Sequence, residues 1–479
     1  MKTIADQLNF IFNPKSIAFI GASNAPFKWG FRTLNRALKN GYRGNVYPVN
    51  QKGEEVCGIP SFKQLNDIPG DVDLAVVTVP SHTVPVVMRE CVAKGVKGVV
   101  MISAGFAEIG EDGLKIQNEV VEIARKGGIR MVGPNCMGIW SAEANLNLSF
   151  ARAPQAGPIS FISQSGTFGG YLAEIANSKG YGLNKFVSIG NQADITSADY
   201  LEYFAEDPHT RVIVFYLESS KDGRRFFELA REVTKTKPIV IFKAGRTEAG
   251  TRATLSHTAS LAGSDAIFDN MCHQAGLIRS QEALQSFDMA EALSGQPPAP
   301  GNRVAILGSG GQGVVTADAC MLLGLDVPQL KEETARQLKK LLPPHAPDPT
   351  NPVDFAGSFR TVRDEANVVE ILLQQDYIDG VITNVPINPL VWNYLTDNQV
   401  KITKPILDAT RHAIDGAEYF ASLPEKYGKP VVTIRFFHFD HDIVAETLKG
   451  VGIPVYDTPE ECARAMNALA KYGEILRRS

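Results

Sequence analysis

The chain has 479 residues, of which 44% are hydrophobic and 42 are glycine, and its formal net charge is −4. This length exceeds what one hydrophobic core supports, so we expect about three domains of an α/β protein. The charge balance excludes a basic surface for nucleic acid or an anionic membrane, and no apolar run reaches the ~18 residues of a membrane span. The six cysteines are scattered without a CxxC pair. That spacing fits reduced thiols in the cytoplasm, and it predicts neither disulfides nor a metal centre.

The first predicted domain, residues 1–150, alternates short apolar runs with helical segments. The runs are expected strands at Ser16–Ile20, Val46–Val49, Leu74–Val79, Val99–Ile102 and Arg130–Val132. Their order is typical of a parallel, Rossmann-like sheet with helices on both faces, and such sheets bind ligands at the C-terminal ends of their strands. The candidate residues at those ends are Gly21, Ser23, Asn50, Lys52, Val79, Pro80, Ala104, Gly105 and Asn135.

The end of the second strand indicates the class of ligand. A dinucleotide-binding turn reads GxGxxG and is followed by an acidic residue that holds a ribose hydroxyl. Here the turn has one early glycine, and the second strand runs into Asn50-Gln51-Lys52. An amide and an ammonium suit a phosphorylated ribose, which favours coenzyme A or NADP over NAD. On these residues alone, an ordinary solvent-exposed turn lysine explains Lys52 equally well.

The second predicted domain, residues 151–296, opens with a linker and a strand at Pro158–Ile162. The next helix is expected to begin with the small residues Ser165, Gly166 and Thr167. Free backbone N–H groups and the helix dipole make such a helix start an anion site, with an ordinary helix cap as the alternative. A serine hydrolase is disfavoured, because Ser163 stands where the GxSxG motif requires glycine.

A histidine follows the last strand of this domain. Further strands are expected at Lys185–Ile189, Val212–Leu217 and Ile239–Lys243. The hydroxyl-rich segment 252–263 then predicts a loop that presents His257, whose imidazole is a nucleophile at neutral pH. In a parallel sheet Glu218 would emerge at the same edge, where a carboxylate can hold one ring nitrogen so that the other reacts. A surface carboxylate and a structural histidine are the alternatives.

The third predicted domain, residues 300–479, follows the linker Gln296–Gly301 and repeats the strand, glycine-rich loop and helix of residues 159–176. In this repeat Gly310 and Gly311 precede the helix, so two such modules could surround one phosphate with helix N-termini. Strands are expected at Arg303–Leu307, Gly380–Thr383, Pro405–Leu407 and Pro430–Ile434. His438 and His441 lack an apparent third ligand, so no metal site is predicted.

Five motifs together carry a family resemblance. They are Gly-Pro-Asn-Cys-Met-Gly at 133–138, Ser-Gln-Ser-Gly-Thr at 163–167, Ser-Ile-Gly-Asn at 188–191, Ser-His-Thr-Ala-Ser-Leu-Ala-Gly at 256–263 and Asn-Pro-Val-Asp at 351–354. With them the chain resembles the α subunit of the nucleoside-diphosphate-forming acyl-CoA synthetases. This is the ADP-forming acetyl-CoA synthetase branch, related to succinyl-CoA synthetase.

The resemblance implies a CoA-binding Rossmann-like domain and two flavodoxin-like ligase domains. It implies that His257 is phosphorylated and that Glu218 steadies it. The implied phosphate contacts are Ser165, Gly166, Thr167, Gly310 and Gly311, and the implied CoA contacts are Gly21, Ser23, Lys52, Val79, Pro80, Ala104 and Asn135. The implied reaction interconverts acyl-CoA, ADP and phosphate with a carboxylate, ATP and CoA through an acyl phosphate and a phosphohistidine.

Two features qualify what the resemblance implies. The chain has no ATP-grasp signature, so ATP or ADP and Mg²⁺ are expected on an ATP-grasp β subunit in an α2β2 assembly. Bulky Lys28 and Trp29 stand where the family usually has small residues, and Trp29 either packs on the ligand or closes the domain. The carboxylic acid is therefore not specified. A non-catalytic CoA-binding sensor or scaffold and an NADP-dependent dehydrogenase remain as alternative functions.

Overall fold

The structure is a computed structural model that describes residues 3–258, 264–357, 361–386, 404–435 and 442–478, with the backbone alone at 255–258, 404–407 and 409. Its helices are α1 (Ile4–Phe12), α2 (Trp29–Lys39), α3 (Val84–Lys94), α4 (Glu111–Lys126), α5 (Gly166–Ser178), α6 (Ser197–Glu206), α7 (Gly223–Val233), α8 (Glu248–Thr258), α9 (Asp265–Ala275), α10 (Gln285–Gly295), α11 (Gly311–Leu322), α12 (Glu332–Lys339), α13 (Val362–Leu373), α14 (Lys404–Tyr427), α15 (Ile443–Gly450) and α16 (Pro459–Arg478).

The strands form three separate sheets. They are β1 (Ser16–Ile20), β2 (Asn45–Val49), β3 (Leu74–Val77), β4 (Gly98–Met101), β5 (Arg130–Val132), β6 (Ile139–Ser141), β7 (Leu146–Asn147), β8 (Ala156–Ser163), β9 (Leu183–Ser188), β10 (Val212–Leu217), β11 (Ile239–Lys243), β12 (Ile278–Arg279), β13 (Val304–Gly308), β14 (Val353–Asp354), β15 (Gly380–Asn384), β16 (Val431–Ile434) and β17 (Val455–Tyr456). The chain divides into two compact units, Met1–Ser286 and Phe287–Ser479. The predicted α/β class with parallel sheets is confirmed.

The first sheet has the order β2-β1-β3-β4-β5, and all its pairs are parallel. Strands β1, β3 and β4 are buried along their whole length, as expected for a parallel sheet covered by helices on both faces. Strand β2 pairs with one edge of β1, and β3, which follows in the chain, pairs with the other edge. The strand order thus reverses beside β1, which is where open α/β sheets bind ligands.

The second sheet has the order β12-β11-β10-β8-β9-β6-β7. Its first five strands are parallel, whereas β6 runs antiparallel to both β9 and β7. Strands β6 and β7 precede residue 150, so this sheet includes residues that we assigned to the first domain. The domain boundary at 150 stays a prediction.

The third sheet, in the second unit, has the order β14-β13-β15-β16-β17 and is parallel throughout. The predicted strand at Pro405–Leu407 is wrong, because these residues begin the 24-residue helix α14. Proline is compatible with a first helical turn, where its missing N–H has no intrahelical role.

The sequence predicted neither a membrane span nor a metal site, and the described residues allow both predictions to be compared with the structure. Among the described residues, none of the helices combines the length and the apolar character needed to cross a bilayer. His438 and His441 lie outside the described residues. Within the described ranges, no three His, Cys, Asp or Glu side chains are grouped as in a metal site.

A buried ion pair stabilises the second sheet. Lys185 of β9 has 1% of its surface exposed, and its Nζ lies 2.8 Å from Asp207 Oδ2. Asn184 Nδ2 and Thr210 Oγ1 donate to the same oxygen, each at 2.7 Å. Burial by itself would raise the pKa of Asp207, but the hydrogen bond and charge of Lys185 outweigh burial and lower it.

Lys185→Ala is expected to lower the free energy of unfolding by about 3–5 kcal/mol, because it leaves the Asp207 carboxylate buried without its cation. Urea unfolding followed by circular dichroism measures this change. The matched control is Lys235→Ala, which removes an ion pair that is 45% and 69% exposed and should cost less than about 0.5 kcal/mol. Equal losses in the two variants would contradict the role of the buried pair.

Candidate active site

The turn after β1 is held close to the neighbouring strand. Gly21 has φ +89°, and a Cβ there would lie 2.8 Å from Thr78 Oγ1 and 3.0 Å from Val79 Cγ1. A Cβ on Gly30, in the first turn of α2, would lie 2.0 Å from the carbonyl oxygen of Gly21. Both positions therefore require glycine, and the helix start packs directly onto this turn.

The same open edge of the sheet holds three further predicted CoA contacts, Ser23, Lys52 and Pro80. Ser23 Oγ accepts a hydrogen bond from Ala25 N at 3.1 Å, and Asn50 Oδ1 accepts one from Lys52 N at 2.9 Å. Asn50 Nδ2 also donates to a carbonyl of the first turn, that of Ala22, at 2.9 Å. The side chains of Lys52 and Pro80 are exposed. The edge thus presents an ammonium group beside a rigid turn.

The loop after β4 is fixed by a carboxylate that the sequence analysis did not identify. Glu108 Oε1 accepts hydrogen bonds from Gly105 N at 2.6 Å and Phe106 N at 3.1 Å. Ser103 Oγ donates to Val79 O at 2.5 Å, which joins this loop to the one after β3. Burial alone would raise the pKa of Glu108, but the hydrogen bonds from Asn191 and these amides outweigh it and lower the pKa.

Asn191 connects the edges of the first and second sheets. Its Nδ2 donates to Glu108 Oε2 at 2.6 Å and to Gln117 Oε1 at 3.0 Å, and its Oδ1 accepts from Asn135 Nδ2 at 3.4 Å. Asn135 has φ +57°, and its N donates to Ser103 O at 3.0 Å. Three loops, those after β4, β5 and β9, are thereby held together with helix α4, which contains Gln117.

The predicted anion loop forms the start of α5. Ser165 is the N-cap, and its Oγ accepts from Phe168 N. A Cβ at Gly166 would lie 2.2 Å from Met137 Cγ, and one at Gly169 would lie 2.2 Å from Ser163 Oγ. The glycines therefore permit close packing, while the first backbone N–H groups of the helix have no intrahelical partner.

Glu218 lies beside this loop at the end of β10, with 6% of its surface exposed. Gln164 Oε1 accepts from Glu218 N at 2.8 Å and from Ser219 N at 2.9 Å, and Gln164 N donates to Tyr216 O at 3.0 Å. Gln164 thus joins the ends of β8 and β10. The sequence analysis did not single it out, although it lies inside the motif at 163–167.

One cavity of about 230 Å³, called the central cavity below, unites several of the predicted site residues. Its walls are formed by Trp29, Ile102, Ala104, Asn135, Cys136, Met137, Gln164, Ser165, Gly166, Thr167, Gly190 and Asn191. Ala104 and Asn135, predicted for CoA, therefore share it with the predicted phosphate residues 165–167. Gly21, Ser23, Lys52, Val79 and Pro80 are not part of its lining.

The prediction of a loop around His257 is wrong for its described part. Residues up to Thr258 belong to α8, and the backbone of His257 is helical. The helix is stabilised by an ion pair from Arg252 Nη1 to Glu248 Oε1 at 2.6 Å and by Thr254 Oγ1, which donates to Gly250 O at 2.9 Å. Hydroxyl side chains that bond the preceding turn can be accommodated in a helix. The side chain of His257 and residues 259–263 lie outside the described part.

Helix α8 nevertheless contacts one of the loops of the site. It follows β11, the neighbour of β10, and it packs against the turn Ala107–Ile109, which contains Glu108. In the second unit, Gly310 is the N-cap of α11 with φ +54°, and Gly311 is the first residue of that helix. Both glycines thus occupy a helix start, as predicted.

Comparisons with known proteins agree with this organisation. A CoA binding domain matches residues 15–142, and a succinyl-CoA ligase like flavodoxin domain matches 156–293. Acetate–CoA ligase (ADP-forming) II subunit alpha of Pyrococcus furiosus is 40% identical over 97% of this chain and 98% of its own length. Acetate–CoA ligase (ADP-forming) of Methanocaldococcus jannaschii is 38% identical over 97% of this chain, which spans 63% of that protein. The solved dinucleotide forming acetyl-coenzyme A synthetase 1 of Ca. Korarchaeum cryptofilum, in complex with phosphate and ADP, has a TM-score of 0.83 and 33% identity over 98% of both chains.

Glu108→Ala is expected to lower the free energy of unfolding at pH 7 by about 1.5–3 kcal/mol, because three N–H groups lose a charged acceptor. The folded-state pKa of Glu108 lies below the ordinary value of 4.5. Its contribution is therefore present above pH 4.5 and is lost as the pH falls through the folded-state pKa. Urea unfolding at pH 7 and at pH 3.5 should show the variant and the wild type converging on acidification.

The control for this prediction is Glu119→Ala, which removes a 47% exposed carboxylate paired with Arg89. Its stability should stay within about 0.5 kcal/mol of the wild type at both pH values. A Glu108→Ala deficit that is independent of pH would mean that the carboxylate charge does not fix these loops.

Proposed function

The chain belongs to the family of ADP-forming acetate–CoA ligase α subunits, and on this premise we propose that it interconverts an acyl-CoA, ADP and phosphate with a carboxylate, ATP and CoA. The observation that carries the proposal is the central cavity, which is lined both by residues predicted for CoA and by residues predicted for phosphate. A thioester and a phosphate ion bound there would be within reacting distance of each other.

In the first step, phosphate is held at the N-terminus of α5 by the N–H groups of Gly166 and Thr167 and by the hydroxyl groups of Ser165 and Thr167. A phosphate oxygen attacks the thioester carbonyl, the carbon–sulfur bond breaks, and CoA leaves as a thiol when its sulfur takes up a proton. The product is an acyl phosphate. Fixed N–H dipoles stabilise the charge that develops on the phosphate without any rearrangement of the site.

In the second step, His257 attacks phosphorus and the carboxylate leaves with the bridging oxygen. We assign Glu218 the role of holding the ring of His257, since a carboxylate on one ring nitrogen keeps the other nucleophilic. Its burial at the end of β10, beside Gln164 and the anion loop, supports this assignment. The phosphoryl group then passes from His257 to ADP, which gives ATP.

The nucleotide step requires a partner chain. A relative named as a subunit alpha implies a β subunit, and the longer Methanocaldococcus jannaschii relative has sequence beyond the part that this chain matches. We propose that the partner has an ATP-grasp fold, that it binds ADP with Mg²⁺, and that the complex is α2β2. At the CoA edge, the exposed Lys52 would face the phosphorylated ribose, and the glycine-bound turn of Gly21 would let the ligand approach the backbone.

The two alternative functions are not favoured. A CoA sensor or scaffold would not need a buried carboxylate in the position of Glu218, and the relatives that match nearly the whole chain are named as ligases. An NADP-dependent dehydrogenase finds no support among these relatives. The second domain would also have no part in hydride transfer.

His257→Ala is expected to abolish phosphorylation of the chain. The measurement incubates the chain, co-purified with its β subunit, with Mg²⁺ and γ-labelled ATP, and tests whether the label is acid-labile and base-stable. His273→Ala is the matched control, because His273 is an exposed histidine on α9; this variant should label like the wild type. Label that persists in His257→Ala would contradict the phosphohistidine assignment.

Glu218→Gln is expected to slow the transfer to His257 by roughly 10²–10⁴-fold, because an amide holds the imidazole without supporting its positive charge. Rapid-quench labelling measures the rate. Glu228→Gln removes a carboxylate of α7 whose side chain is 61% exposed, and it should leave the rate unchanged. A Glu218→Gln variant that labels at the wild-type rate would remove Glu218 from the mechanism.

A further inference from the structure

Trp29 lines the central cavity. It is the first residue of α2, it is half-buried, and it packs against the large core of the first unit. The guanidinium carbon of Arg32 lies 5.5 Å from the centre of its ring, and its carbonyl accepts from Thr33 Oγ1 at 2.9 Å. A large side chain with two rotatable bonds that contacts both the core and a guanidinium group forms a rigid wall.

Three further apolar residues line the central cavity together with Trp29, namely Ile102, Cys136 and Met137. Ile102 and Cys136 contribute buried side chains from the ends of the first sheet. Met137 packs against Gly166 at the start of α5, and its backbone N donates to Ser188 Oγ at 2.9 Å. Apolar surface therefore directly adjoins the anion site. A methionine can adapt its shape to a ligand, whereas an indole cannot.

The acyl group has little room in this arrangement. An acyl phosphate places the acyl carbon one bond from a phosphate oxygen, so the chain of the acid must extend from residues 165–167 into the apolar part. The cavity of about 230 Å³ is smaller than the roughly 300–1,000 Å³ of pockets that hold drug-sized ligands. It must accommodate the phosphate and the thioester as well as the acid.

We infer that Trp29 determines the acid specificity of this chain by closing the acyl end of the central cavity, so that short, unbranched carboxylates are accepted and longer or aryl acids are excluded. This inference rests on the function proposed above and assigns its substrate class.

The test compares the complex of the chain and its β subunit with Trp29→Val, Trp29→Leu and Trp29→Phe variants of it. Formation of acyl-CoA is measured with acetate, butyrate, hexanoate, 3-methylbutanoate and phenylacetate. In Trp29→Val and Trp29→Leu, kcat/KM for hexanoate and phenylacetate relative to acetate should rise at least tenfold, because one methylene in an apolar pocket is worth about 10–200-fold. Trp29→Phe should stay close to the wild type, since it keeps an aromatic wall.

Phe31→Val is the control for loss of an aromatic residue on the same helix. Phe31 belongs to α2 but lines a different groove, so its acid profile should match the wild type. If Trp29→Val does not fold, as judged by its thermal midpoint, the acid profile of Trp29→Leu is compared with the wild type instead, because leucine removes less of the side chain. An unchanged acid profile in folded variants overturns the inference.

Two outcomes separate this inference from the proposed function. A KM for CoA that rises with no change in acid profile would make Trp29 a contact of the CoA molecule, and the inference would fail while the function stands. Labelling of His257 by ATP does not involve the acid. Absence of that label in the wild type would overturn the proposed function itself, whatever the Trp29 variants do.

Discussion

The hydrogen bond that joins Asn191 to Glu108 is the constraint on which the geometry of the site depends. One end belongs to the loop after β9 of the second sheet, and the other to the turn after β4 of the first sheet. Because Glu108 also accepts two backbone N–H groups, its charge is distributed over three donors, and each such bond is stronger than a neutral one. This connection acts together with the backbone hydrogen bonds from Asn191 N to Pro134 O at 2.9 Å and from Ala193 N to Gly133 O at 3.1 Å, so the loops that line the central cavity are held in one arrangement.

The electrostatics of the site follow from dipoles more than from cations. Lys243, at the end of β11, lies shortly before α8, yet it is 4% exposed and its Nζ donates to the carbonyls of Ala244 and Gly245 at 3.2 and 3.3 Å. Burial lowers its pKa, an effect that Asp265 partly offsets. Its charge thus stabilises the turn before α8. A doubly charged phosphate at α5 would then be held by N–H groups and hydroxyls, which agrees with a chain of net charge −4.

The sequence predicted best those elements whose signal is local. Strands β10 and β11 were placed at their observed limits, because each is a run of β-branched and aromatic residues that ends at a polar or small residue. Two local signals gave wrong predictions of secondary structure. The segment 252–258 has hydroxyl groups that satisfy themselves within a helix, and Pro405 begins a helix rather than a strand. Strands β6 and β7 were not predicted, because two or three residues carry no periodicity.

The residues of the candidate site also differ in whether a local sequence pattern predicts them. Ser165 to Thr167 and Asn135 could be found from the sequence, since glycine-rich turns at strand ends are a local pattern. Glu108 could not, because its partner Asn191 lies 83 residues away and nothing near Glu108 distinguishes it from the other acidic residues of the chain. A glycine-rich turn before a helix predicts free backbone N–H donors. Which acceptor a donor contacts depends on the fold.

The walls of the central cavity have two effects under the proposed mechanism. An acyl phosphate reacts with water, so the site that forms it must exclude water as well as bind phosphate. Trp29, Ile102 and Met137 give the cavity apolar lining next to the start of α5, and the same apolar atoms that limit the size of the acid exclude water from that part. Specificity for the acid and protection of the intermediate therefore depend on one surface. A bulky residue at position 29 serves both, because the indole occupies volume that a longer acid or a water molecule would otherwise take.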